Sequence, residues 1–182
     1  MTETVKNDDK MIGFGPKHIG IALYIANRPE IDGFPNGDSL QPLASGDVVY
    51  IGQHTSNHWR KIFNVSAKFL FELYSAHSPL DSIDTWQAYR ETRLFQAESH
   101  EALLFSPPCF DQTGLIHIIA GKTYAQQLAL PPLTWLDEHF AINMEQRIIV
   151  CPYLDYRQLS NARITTLVAL VQQVQNPRFA PV

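Results

Sequence analysis

The sequence predicts an α/β domain, a three-layer α/β/α sandwich around a mainly parallel sheet of about four strands. Short apolar runs near 48–51, 102–105, 115–120 and 148–151 are too brief for helices and end at glycine, proline or polar residues. Helical patterning precedes or follows each of them, as parallel strands joined by crossover helices require. The run Leu115-Ile116-His117-Ile118-Ile119-Ala120 is apolar on both faces apart from His117, as in a strand covered on both sides.

A chain of 182 residues is long enough for one self-sufficient core. We therefore read residues 1–182 as a single domain, with 1–10 a loose polar tail and 11–46 an irregular N-terminal extension. Hydrophobic residues make up 45% and charged ones 18%, which excludes extended disorder. A formal charge of −4 and a pI near 5.9 exclude a protein that holds nucleic acid by bulk electrostatics, though not a local basic loop. With two cysteines, Cys109 and Cys151, and neither a secretory apolar region nor a run of membrane-spanning length, the expectation is a reduced, cytoplasmic protein that does not enter a membrane. Both cysteines border apolar runs and are expected to be buried.

In chain order, Gly13-Phe14-Gly15 is followed at once by Pro16 and lacks a preceding strand, so it reads as a turn rather than a dinucleotide fingerprint. Ile19 to Ala26 is a short helix or strand, ended by Asn27-Arg28-Pro29; Gly33 to Gly46 is a long connection. Asp47 to Gly52 is β-branched and aromatic, hence a buried strand. Thr55, Ser56 or Asn57 then caps a helix whose stripe is Trp59, Ile62, Phe63, Ser66, Leu70, Leu73 and Tyr74. Asp84 caps a second helix through Trp86, Tyr89 and Phe95. Lys122 to Leu130 is a helix opened by Gly121 and closed by Pro131-Pro132, and Leu133 to Phe140 is a further short helix. After the strand Ile148 to Cys151, a polar and aromatic loop reaches Ser160, which caps a terminal helix stopped by Asn176-Pro177.

Three of these strand ends resemble the uracil-DNA glycosylases. Val48-Val49-Tyr50-Ile51-Gly52-Gln53-His54 is similar to their first motif, a strand ending in Gly-Gln-Asp-Pro-Tyr, and Asn57-His58-Trp59-Arg60-Lys61 to the Asn-x-Phe-Trp-Lys stretch of the mismatch-specific branch. Ile118 to Ala125 resembles the strand-Gly-Lys-x-Ala helix start. The loop from Cys151 to Asn161 sits where the family has His-Pro-Ser-Pro and a DNA-wedging loop. Order and spacing fit over about residues 47–175. The chain departs from the pattern where chemistry is done: His54 stands for the water-positioning acid, Thr55-Ser56 for Pro-Tyr, and Cys151 for the histidine that donates to the departing base. A thiol is a poorer donor than an imidazole.

The resemblance implies a site between the loops after Ile51 and Val150, with DNA or a nucleobase as ligand. Gln53 and His54 would be the catalytic pair, His54 positioning or deprotonating a water. Asn57, Trp59, Cys151, Tyr153 and Arg157 would bind substrate, with Tyr153 or Trp59 stacking the base and Arg157 touching a phosphate. Each has a plainer reading: Trp59 in the core, His54 and Arg157 facing solvent. Three possibilities stay open: a glycosylase with altered chemistry, a nucleobase-binding relative without catalysis, and an unrelated α/β domain.

No cofactor is implied. His54 and His58 have the i, i+4 spacing of two ligands on one helix face, but no paired Cys-x-x-Cys supports a zinc site, and none is expected. Phosphate-loop, esterase-elbow and His-Glu-x-x-His signatures are lacking. The alternative to a ligand site is a protein-interaction surface built on Pro152, Tyr153, Tyr156 and Arg157, and the low charge content suits a homo-oligomer.

Overall fold

Residues 10–76, 80–111 and 114–176 are described by the structure, a computed structural model. The first nine residues of the expected tail over 1–10 and the stop at Pro177 lie outside the described residues. The elements follow in the order β1 (Gly13–Phe14), β2 (Ile21–Tyr24), β3 (Leu40–Gln41), α1 (Asp47–His54), α2 (Asn57–Ser75), α3 (Trp86–Thr92), β4 (Glu101–Leu104), β5 (Ile116–Ala120), α4 (Lys122–Gln127), β6 (Thr134–Trp135), β7 (Ala141–Asn143), β8 (Ile148–Cys151) and α5 (Asn161–Gln175).

The strands form one eight-stranded mixed sheet in the order β3-β1-β4-β2-β5-β8-β7-β6. This corrects the expectation of a mainly parallel sheet of about four strands. β4, β2, β5 and β8 do run parallel at its centre. Antiparallel pairing of β1 with β4 and of β8, β7 and β6 extends it on both sides, with β3 parallel to β1 at one edge. These flanking strands are two or three residues long, too short to leave an apolar run in the sequence.

Alternation along the central strands feeds two cores. Ile21, Leu23, Ile25, Leu103, Ile116, Ile118, Ile149 and Cys151 face a helical layer that supplies Val48 and Ile51 of α1, the Trp59 to Leu73 stripe of α2, Tyr89 of α3 and Ile164 to Val174 of α5. Ala22, Tyr24, Ala102, Leu104, Ile119, Ile148 and Val150 face the other way. There, among the described residues, the short α4 and connecting segments with Phe110, Leu128, Leu130 and Leu133 cover the sheet. Among those residues the expected third layer is thus one helix and loops. Each large side chain fully buried in these cores contributes about 1.5–3 kcal/mol, so α2 is the main anchor of the helical layer.

The expected strand over 48–51 is a helix. Its buried residues, Val48, Ile51 and Gly52, follow i, i+3, i+4 spacing, while Val49 and Tyr50 are exposed. Asp47 Oδ accepts from the Ala44 N–H at 2.7 Å and secures the entry. Burying one helical stripe outweighs the β preference of four consecutive β-branched or aromatic residues. The expected helix over Leu133 to Phe140 is instead part of the β6–β7 hairpin: Asp137 Oδ1 accepts from the N–H groups of His139 and Phe140, a side-chain turn that reverses the chain.

Gly13 and Gly15 serve close packing rather than a turn. A Cβ on Gly13 would stand 2.0 Å from the Leu103 carbonyl oxygen, and one on Gly15 2.6 Å from Ala102 Cβ. The helix after Thr85 is capped by that threonine, whose hydroxyl oxygen accepts from the Ala88 N–H at 3.1 Å, rather than by Asp84. Ser56 and Ser160 occupy the expected cap positions of α2 and α5, without a side-chain bond to the helix.

Candidate functional site

β2 lies between β4 on one side and β5 on the other, so the direction of chain progression across the parallel strands reverses there. In open α/β sheets, ligands bind outside the carboxyl ends of the strands at such a reversal. The loops leaving β2, β5 and β8 here carry Asn27, Gly121 and Tyr153. The Gly121 N–H donates to the Cys151 carbonyl at 2.8 Å and ties the ends of β5 and β8 together. Gly121 has a φ of 103°, a conformation glycine takes without steric cost, and Tyr153 lies against it.

Tyr153 is the hub of this edge. Its hydroxyl is 2.7 Å from His58 Nε2, and the two rings stack at 5.2 Å between centroids with 12° between planes. Asn27 Nδ2 donates to the same hydroxyl at 3.3 Å and is 3.3 Å from His58 Nε2. Burial pushes the Tyr153 phenol up to about 12, so it keeps its proton at neutral pH and can either donate to His58 Nε2 or accept from it. The loops after β2 and β8 and the first turn of α2 thus meet in one hydrogen-bonded group, with a carboxamide exposed beside an imidazole and a phenol.

Behind Tyr153, the loop to α5 carries a charged surface. Lys61 Nζ is 3.4 Å from Asp155 Oδ2 and 5.5 Å from the centre of the Tyr156 ring. The Arg157 guanidinium lies 5.7 Å from that ring on the same loop. The Arg157 backbone N–H above all, and then Lys61, hold the Asp155 carboxyl below its ordinary range. Tyr156 is 51% exposed, an aromatic surface with two cations beside it.

The residues read from the sequence are dispersed by this fold. Tyr153 is at the strand-end group and Arg157 on the adjoining loop. Cys151 is not: it is fully buried on the helical side of the sheet, and burial pushes its thiol up to about 12, so it neither reaches a ligand nor ionises. Trp59 packs edge-on against Phe105 at 5.9 Å and beside Phe63, and is core rather than a stacking platform. Asn57 is exposed in the first turn of α2.

Gln53 and His54 lie at the end of α1 rather than after a strand. His54 stacks on Tyr50 at 4.0 Å, with Nδ1 2.9 Å from the Tyr50 carbonyl oxygen of its own helix. Gln53 lines a cavity of about 190 Å³ with Gly52, Arg60 and Asn64, whose walls include neither His54 nor Cys151. His54 and His58 belong to different helices, broken at Thr55 and Ser56, so they do not share a helix face. Among the described residues, no group of three or more His, Cys, Asp or Glu side chains could hold a metal ion.

Two residues of the group were missed as site residues. Asn27 reads as a turn former, yet it directly follows the apolar run Ile21 to Ile25, which glycine and proline bound as they would a buried strand. His58 draws notice only through its spacing from His54. Its partner is 95 positions away, a relation that local patterning does not carry.

The fold and this edge define an α/β protein with a polar group at the reversal point of its parallel strands. The chain belongs to the DUF6942 family, a family of unknown function, whose model matches residues 12–172. No curated protein and no solved structure matches it. Among the described residues, no helix is long and apolar enough to cross a membrane.

Proposed function

We propose that the chain binds a nucleobase, free or in DNA, at the carboxyl edge of β2, β5 and β8, as a divergent relative of the uracil-DNA glycosylases with weak or absent excision activity. The observation that carries this reading is the Asn27–His58–Tyr153 group at the reversal point. A carboxamide can pair with the edge of a base through one donor and one acceptor. Next to it, Tyr156 with Lys61 and Arg157 offers an aromatic face and positive charge for a neighbouring base and phosphate.

Those parts of the glycosylase resemblance that fall on 57–61, 118–125 and 151–161 map to elements at this edge. The part on 48–54 does not match the family's first motif, because it is a helix rather than a strand with a strand-end loop. The catalytic role that the resemblance implies for Gln53 and His54 is therefore not carried over, and Asn27 and His58 join Tyr153 as the polar groups that would meet a base. Without a strong donor in place of Cys151, excision loses a stabilising interaction whose removal typically costs about 10²–10³ in rate.

The test is fluorescence anisotropy with single-stranded and mismatched oligonucleotides carrying uracil or hypoxanthine, followed by alkaline cleavage of abasic sites. Binding weakened about tenfold or more by Asn27→Ala and Tyr153→Phe, with little change for His54→Ala, is the expected result; one lost hydrogen bond to a ligand is worth about that much. The second reading is a protein-interaction or homo-oligomer surface, which the exposure of Tyr156, Tyr50 and Val49 favours. Absence of binding to every oligonucleotide and free base, with concentration-dependent self-association, would replace the first reading by the second.

A further inference from the structure

At the opposite edge of the sheet, Glu101 begins β4 beside Ile21, the first residue of β2. Its side chain points to the helical layer and is only 1% exposed. The Tyr89 and Tyr74 hydroxyls donate to its two carboxyl oxygens, Tyr74 at 2.8 Å, and the His100 N–H adds a third bond at 3.1 Å. This carboxyl lines a cavity of about 350 Å³. The tyrosine rings and the apolar Leu80 and Ile83 form part of the wall, and Asp81 and Glu98 add two carboxylates.

The one arginine among the lining residues, Arg93, is directed to Glu98 at 4.0 Å. Glu101 has no cationic side chain within salt-bridge distance among the described residues. A buried carboxylate without a cationic side chain in contact is costly, so a cation entering the cavity beside it is favoured.

We propose that this cavity binds an alkylammonium group, with Glu101 as its counter-ion, the tyrosine rings along its flank and Leu80 and Ile83 against its apolar stem. An anion is disfavoured by three carboxyl groups set against Arg93. Burial raises the Glu101 carboxyl above its ordinary value, the direction expected of a carboxylate short of a counter-charge, and an ammonium beside it would supply that charge. The titratable neighbours are Tyr74, Tyr89, His100, Arg93, Glu98 and Asp81. The site is independent of Asn27 and Tyr153, which lie at the other ends of the strands.

The chemistry is shared by free amines and by the side chain of lysine in a peptide. The experiment titrates the full chain with n-butylammonium, with n-butanol as the uncharged match, and with a blocked lysine tripeptide, read by calorimetry and by shifts of the Ile83 and Leu80 methyl resonances. Saturable binding of n-butylammonium with a Kd of about 1 mM or tighter, at least tenfold weaker for n-butanol and for Glu101→Gln, is expected. Tighter binding of the tripeptide assigns the site to a protein lysine, and tighter binding of the free amine to a small molecule. Leu80→Trp fills the cavity from its rim without altering the carboxyl, and should abolish binding even where Glu101→Gln does not fold. Equal binding of n-butanol, binding that survives Leu80→Trp, or no saturation by either amine would overturn the proposal.

Discussion

His58 and Tyr153, 95 positions apart in the chain, stack with their ring planes 12° apart and share a 2.7 Å hydrogen bond at the carboxyl edge of the sheet. The contact joins the first turn of α2 to the loop after β8, so it fixes the orientation of the His58 ring and the placement of the loop that bears Tyr156 and Arg157. A double-mutant cycle of His58→Ala and Tyr153→Phe in urea unfolding should give a coupling of about 0.5–1.5 kcal/mol, the usual net worth of such a bond. Additive effects would show that the two rings only lie side by side.

The environment of Cys151 leads to a second expectation. Fully buried and with its thiol pushed up to about 12 by that burial, it should resist alkylation in the native protein. It should become reactive on unfolding in denaturant, at the rate at which the chain opens. Mass spectrometry of iodoacetamide-treated protein by peptide checks this. Rapid native labelling at Cys151 would mean that the edge beneath Tyr153 opens readily, and would return the thiol to the candidate site.

The close approach of β1 to β4 makes a third prediction. Gly13→Ala would put a methyl group 2.0 Å from a backbone carbonyl oxygen, where no flexible side chain can yield. The strands must separate or the bond between them must break, so a loss of about 3 kcal/mol or more is expected. Gly33→Ala meets nothing within 4 Å, and its φ of 84° should cost only about 1–2 kcal/mol. Chemical denaturation of the two variants measures the difference, and equal losses would show that conformation rather than contact decides it.

Of the architecture, the long and repetitive parts were legible. The stripe of α2, the helix after Ser160, and the strands at 101–104, 116–120 and 148–151 all carry enough apolar residues in one period to declare themselves. The eight-residue α1 did not. Four β-branched or aromatic residues in a row satisfy a strand as well as a helix, and only the burial of Val48 with Ile51 and Gly52 separates the two. That error displaced the predicted site. With 48–51 taken as the first strand, Gln53 and His54 became strand-end residues, while β2, whose loop does hold Asn27, remained helix or strand. Tyr153 and Arg157 stand at or beside this edge because their loop follows a strand that the sequence identifies. Glu101, buried on the strand that holds Leu103 and Leu104, had no local mark at all; its partners come from α2 and α3.

The last prediction concerns pH and His117, the one polar residue on β5. Its ring is 1% exposed, 2.7 Å from the Tyr24 hydroxyl through Nδ1, stacked near Tyr24 at 5.7 Å and edge-on to Phe110 at 4.9 Å. Burial lowers its pKa from 6.5 to about 4. The unfolded chain therefore takes up this proton first as pH falls, and the folded state is left behind. Stability should be fully present above about 6.5 and decline as pH drops towards 4, by up to about 3 kcal/mol at roughly 1.4 kcal/mol per pH unit. Glu101 acts in the opposite sense, since its raised carboxyl favours the folded state as pH falls. The His117 contribution must therefore be read from variants in which Glu101 is unchanged. His117→Leu strands the Tyr24 hydroxyl, costing about 1–3 kcal/mol at every pH, so the slope rather than the absolute stability is compared. Urea unfolding of wild type, His117→Leu and Tyr24→Phe between pH 4 and 7 should show stability falling more steeply towards acid in the first and third than in the second. A decline equally steep in His117→Leu would place the acid-sensitive group elsewhere, and one that flattens in Tyr24→Phe would make the hydrogen bond, not burial, the cause.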